Sequence, residues 1–213
     1  MNRYQTLKVW RDTFAREADS PRYRLSRIIL ITGFGIALLY TVLLTLFEHR
    51  QAGDWLQVSR PVTELAGFAI PAIGRISSDL TQRGHGDRAG YIANVIAFQW
   101  LASGFGWLLA TVLLILDRER LSRAFAAARE RTSGSIPKPT LMNFFLPLIL
   151  VAGLFAWWPF DSHSFERGRG HYDLADGDGG LYFPFLAFTA LWWLCLYWVA
   201  REMIALFGTR GAD

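Results

Sequence analysis

The chain has 213 residues, 52% hydrophobic and 15% aromatic, with nine Trp, which is more apolar than a soluble domain of its size. Its single cysteine, Cys195, excludes an intrachain disulfide. The formal net charge of +4 sits on the flanks of apolar runs, where anionic lipid attracts Arg, and so calls for a bilayer and no nucleic-acid partner.

In chain order, Tyr4, Leu7, Trp10 and Phe14 recur at helical spacing until Asp19-Ser20-Pro21, predicting an amphipathic helix over about 4–18. Two placements suit it. Either it lies on the inner membrane surface with Trp10 at headgroup level, or it packs on the protein's own cytoplasmic loop.

Ile28–Phe47 follows, the first of four stretches without Asp, Glu, Lys, Arg or His; the others are Tyr91–Leu116, Leu141–Phe160 and Gly179–Ala200. A helix of about 20 residues, rising about 1.5 Å per residue, crosses a hydrocarbon layer of about 30 Å, so all four read as membrane spans. The first is longer than the apolar core of a secretory signal and is expected to be a retained anchor.

The segment Glu48–Gly90 carries one apolar stripe, Val62, Leu65, Ala66, Ala69, Ile73, Ile76 and Leu80, which predicts an amphipathic helix over about 61–82 bent at Pro71. It is expected at the outer interface or against the bundle, with a re-entrant half-helix as the alternative. The second span should run on through Asp117 to Ser133-Gly134 as one long helix. Along it Ala102, Gly106 and Ala110 form a small-residue ridge, expected to meet Gly33 and Ala37 of the first span. Pro137 and Pro139 turn the chain into the third span, where Trp157, Trp158 and Phe160 mark an interface, as Tyr182 and Phe183 do for the fourth.

Fifteen of the 22 Lys and Arg residues lie in 1–27, 117–140 and 201–213, against seven in 48–90 and 161–178. The positive-inside rule therefore places both termini and the inner loop 117–140 in the cytoplasm, with 48–90 and 161–178 outside. Basic residues are almost all Arg, which with the Ala and Gly content suggests a GC-rich bacterial genome.

The four histidines, His49, His85, His163 and His171, all fall in the outward segments. His163, His171 and Asp173 are the candidate metal ligands by residue type, although their spacing matches no standard zinc or iron pattern and solvated surface side chains explain them. Asp173-x-x-Asp176-x-Asp178 departs from a calcium loop, whose twelfth position would be Pro184 here. With no histidine on the spans, bis-histidine haem is excluded, and no ionisable group lies at membrane depth for a proton or ion to visit. Neutral polar groups do remain at Thr41, Thr45, Asn94, Gln99, Ser103, Asn143 and Thr189, with Gln99 the best candidate for more than packing. The deep Trp100, Trp107, Trp192 and Trp193 suit packing or an apolar ligand such as an acyl chain or quinone. Cys195 is read as apolar filler.

The expectation is thus a single all-α integral membrane domain over 1–213 with four transmembrane helices. Its expected role is that of a non-catalytic multi-span subunit of a larger bacterial inner-membrane complex, without cofactor, docking on other membrane proteins through small-residue and aromatic helix faces. Two alternatives stand beside it. One is a small transporter or homo-oligomeric channel with a path built from Asn94, Gln99, Ser103 and Asn143. The other is a membrane enzyme or metal-binding protein with an outer-face His/Asp/Glu site.

Overall fold

The computed structural model describes residues 3–47, 52–69, 73–74, 78, 81–82, 86–132, 146–150 and 182–207. Among the described residues the secondary structure is helical, with no strand. The helices are α1 (Arg3–Ala18), α2 (Pro21–Phe47), α3 (Ala52–Ala69), α4 (Gly86–Leu116), α5 (Arg118–Arg131) and α6 (Tyr182–Phe207). Within them Pro21–Leu44 and Ala93–Leu116 are each 24 residues long and apolar. At about 1.5 Å per residue each spans about 36 Å, enough to cross a membrane.

Each of these two helices buries a line made mostly of small and polar residues and exposes many of its large apolar ones, although Leu30, Val95, Ile96, Trp100 and Leu114 are buried too. In α2 the buried line is Ser26, Leu30, Gly33, Ala37 and Thr41, while Ile31, Ile36, Leu38, Leu39 and Leu43 face outward. In α4 it is Gln99, Ser103, Gly106, Ala110 and Leu114, against exposed Phe105, Leu108, Val112, Ile115 and Leu116. A helix of a water-soluble protein shows the reverse, because only burial removes apolar surface from water. The expected ridge is shifted: Ala102 is half-buried and Ser103 takes its place on the buried line.

The chain forms two compact units. One consists of Met1–Ile31, Gly106–Val151 and Trp193–Asp213, the other of Thr32–Phe105 and Ala152–Trp192.

In the first unit, α1 packs on α5. Trp10 is 5% exposed and meets Phe125 edge-on at 5.0 Å, the contact with the chain's own helix that was one of its two expected placements. Arg120 reaches the end of α1, donating from Nε to the Glu17 carbonyl at 3.1 Å and from Nη2 to the Asp19 carbonyl at 2.6 Å. A cation there satisfies carbonyls left open by the helix end and meets the negative end of its dipole.

Ser20-Pro21 then starts α2. The Ser20 hydroxyl accepts the Tyr23 N–H at 2.9 Å as an N-cap, and Pro21 occupies the first helical position, where no N–H is needed. The same hydroxyl donates to the Asp117 carboxylate. Asp117 corrects the expectation of one long helix through 117–133. Its N–H is shared between the Leu113 and Leu114 carbonyls at 3.1 Å each, and its φ of −106° and ψ of 14° leave the helical region. The ladder restarts with Arg120 and Leu121 donating to the Asp117 carbonyl, which frees α5 to lie against α1. Trp107 and Trp193 pack at 5.1 Å in this unit, and the Tyr197 hydroxyl meets Ser26 Oγ at 2.7 Å.

In the second unit Tyr91 donates to the Leu44 carbonyl, and Gln99 Nε2 donates to Thr41 Oγ1 at 2.9 Å, so α2 and α4 run antiparallel. Tyr40 stacks on Phe98 with ring centroids 3.7 Å apart, and Trp100 meets Trp192 at 5.6 Å. The helix expected over about 61–82 is α3, which begins well before 61, with Pro61 inside it and Arg60 bonded to Glu64 at 2.8 Å. Of its stripe, Ala66 and Ile73 are buried, whereas Val62 and Leu65 are exposed. Pro71, the third expected span except 146–150, and the loop 161–178 lie outside the described residues.

Candidate functional site

The sequence-derived metal candidates His163, His171 and Asp173 lie outside the described residues, as do His49 and His85. Among the described residues no group of three or more His, Cys, Asp or Glu comes together. Of the polar residues expected on the spans, Thr41, Asn94 and Gln99 are buried and hydrogen-bonded, Ser103 and Thr189 are buried with hydroxyls that meet no partner among the described residues, and Asn143 lies outside the described residues. Tyr40 donates to Asn94 Oδ1 at 2.5 Å, Asn94 Nδ2 donates to Thr63 at 3.2 Å, and Thr41 carries the Gln99 bond on to the Ala37 carbonyl at 2.8 Å. Amides that a channel would turn toward water therefore tie α2, α3 and α4 together. The small-residue line and Trp100, Trp107, Trp192 and Trp193 also pack within the chain.

Among the described residues a concave feature lies in the first unit. A cleft of about 700 Å³ lies between α1, the start of α2, α5 and the end of α6. Its walls include Trp10, Phe14, Tyr23, Phe125 and Trp198; its charged lining is Lys8, Arg11, Arg27 and Arg201 against Asp19 and Glu202. The helical pattern that buries Trp10 also turns Leu7 and Phe14 toward the cleft, because positions three and four apart share a face.

Arg201 and Glu202 form its inner end. Arg201 Nη2 pairs with Glu202, and the two side chains are only 22% and 10% exposed. Arg201 Nη1 donates to the Tyr23 hydroxyl at 3.5 Å, and its guanidinium lies over Phe14 at 5.7 Å and Trp198 at 5.5 Å. Burial opposes the Arg201 charge, but Glu202 and Tyr23 outweigh it and raise its pKa, so the cation persists. At the rim, Arg24 holds Asp19 through Nε at 2.6 Å and through Nη2, and with help from Arg120 keeps the Asp19 carboxyl below its ordinary pKa.

Neither Arg201 nor Glu202 stands out as a site residue when the chain is read alone. The available signal is that the apolar pattern resumes at Met203–Phe207, so the pair interrupts a helix and does not begin a tail. No family model, no curated protein and no solved structure matches this chain.

Proposed function

We propose that the protein is a non-catalytic, multi-span subunit of a bacterial inner-membrane assembly, crossing the bilayer four times with both termini in the cytoplasm. The observation that carries this reading is the pattern of α2 and α4, with a mostly polar and small-residue line inside and Ile31, Ile36, Leu38, Leu39, Phe105, Leu108, Ile115 and Leu116 outside. In water such a surface drives aggregation; in hydrocarbon it is the ground state. The hydrogen bonds of Asn94 and Gln99 to neighbouring helices favour a packed bundle over a polar conduit. For docking, the small-residue and deep aromatic faces are already occupied within the chain, which leaves α3. There Leu65 is 66% and Phe68 92% exposed, an apolar edge suited to a partner helix at the outer end of the spans.

Extraction in a mild detergent followed by native mass determination tests the reading. The wild type should carry partner subunits in fixed stoichiometry, and Leu65→Ser/Phe68→Ser should release them while the chain stays folded. A lone monodisperse chain from both proteins contradicts the subunit role.

A further inference from the structure

Both carboxylates of the α1 cleft are engaged, Asp19 by Arg24 and Glu202 by Arg201. Lys8 and Arg27, which also line it, form no ion pair among the described residues. The cleft therefore offers uncompensated positive charge beside an aromatic wall in which Arg201 is fixed between Phe14 and Trp198. Its volume of about 700 Å³ is that of a ligand site. Its position adds a second constraint: Arg27 directly precedes the apolar run Ile28–Phe47, and Arg201 directly follows Gly179–Ala200. In the threading proposed above, on which this step rests, the cleft stands at the cytoplasmic boundary of the bilayer.

We propose that the cleft binds a net-anionic, phosphate-bearing amphiphile, with the phosphate on Lys8 and Arg27 and the apolar part along Phe14 and Trp198. Arg27 supplies a planar fork of donors matched to phosphate oxygens, and Lys8 a point charge. Basic pockets between spans on the cytoplasmic side suit anionic headgroups. The same phosphate chemistry comes from two sources, an anionic phospholipid of the inner leaflet and a soluble organophosphate.

The test is a binding titration of the full chain in uncharged detergent with short-chain phosphatidylglycerol, phosphatidylcholine and glycerol 3-phosphate, read by tryptophan fluorescence. Phosphatidylglycerol should bind tightest. Lys8→Gln/Arg27→Gln should weaken it about fivefold per cation, about 25-fold together. Arg16→Gln/Arg123→Gln, which removes equal charge from exposed positions outside the cleft, should retain binding, as should Lys8→Arg/Arg27→Lys. Equal affinity for phosphatidylcholine, or equal loss in the Arg16/Arg123 variant, overturns the site. Glycerol 3-phosphate binding as tightly as the lipid overturns its amphiphilic part and assigns a soluble ligand. Alkaline carbonate extraction of native membranes reports separately on the spans: release of the chain contradicts the threading whatever the titration gives.

Discussion

Removing Ser26 should cost more than removing the hydroxyl it bonds, and the second change should rescue the first. Ser26 Oγ lies 2.8 Å from the Tyr23 carbonyl and 2.7 Å from the Tyr197 hydroxyl. A serine has one hydroxyl hydrogen, and the carbonyl can only accept, so Ser26 donates to Tyr23 and Tyr197 donates to Ser26. Tyr197→Phe then deletes one donor and leaves the Ser26 bond to Tyr23 intact, a loss of about 0.5–1.5 kcal/mol. Ser26→Ala strands the hydroxyl of buried Tyr197, and leaving a buried polar group unsatisfied costs about 1–3 kcal/mol. In Ser26→Ala/Tyr197→Phe no orphan remains, so the double variant should be more stable than Ser26→Ala alone. Thermal unfolding in detergent, followed by tryptophan fluorescence on all four proteins, gives the cycle. Further destabilisation by Tyr197→Phe on the Ser26→Ala background would refute the account of a stranded hydroxyl.

Trp10→Ala should destabilise the α1–α5 contact by about 3–5 kcal/mol, because a buried ring and its edge-on partner Phe125 are lost; hydrogen exchange should show α1 opening ahead of the spans. Gly35→Ala should be neutral or stabilising by up to about 1 kcal/mol, since a Cβ there meets nothing within 4 Å. Gly106→Leu, on the buried line of α4, should lower the thermal midpoint sharply in the same assay, and equal behaviour of the two variants removes the close-packing argument. The Asp19 carboxyl, lowered by its hydrogen bond from Arg24, contributes stability that is present above its ordinary pKa and lost as pH falls through its lowered one. Protection of the α1–α2 corner should therefore weaken below about pH 4 in the wild type and less so in Asp19→Asn.

The long apolar stretches were readable because they depend on local composition alone: α2 and α4 contain their expected spans, and α1 fills the expected 4–18 almost residue for residue. What escaped depends on partners far away in the chain. The break at Asp117 follows a continuous helical pattern, and the Ser20 hydroxyl that holds its carboxylate is 97 residues distant. Trp10 suits a headgroup as well as a core until Phe125 is placed against it. The α1 cleft needs four segments folded together, and its deepest pair, Arg201-Glu202, reads locally as the polar end of a span. Small residues at helical spacing marked the buried line at Gly106 and Ala110 and missed it only at Ala102, because Ala102 and Ser103 are both small and only the rotation of α4 distinguishes them.

The most direct measurement is labelling of single cysteines by a membrane-impermeant maleimide on a Cys195→Ser background, in intact cells and after permeabilisation. Arg60→Cys on α3 should label in intact cells, Arg129→Cys on α5 only after permeabilisation, and Phe105→Cys, exposed on the apolar face of α4, in neither. Labelling at 105 in intact or permeabilised cells would contradict a lipid-facing α4, and labelling at 129 in intact cells would contradict the cytoplasmic placement of α5.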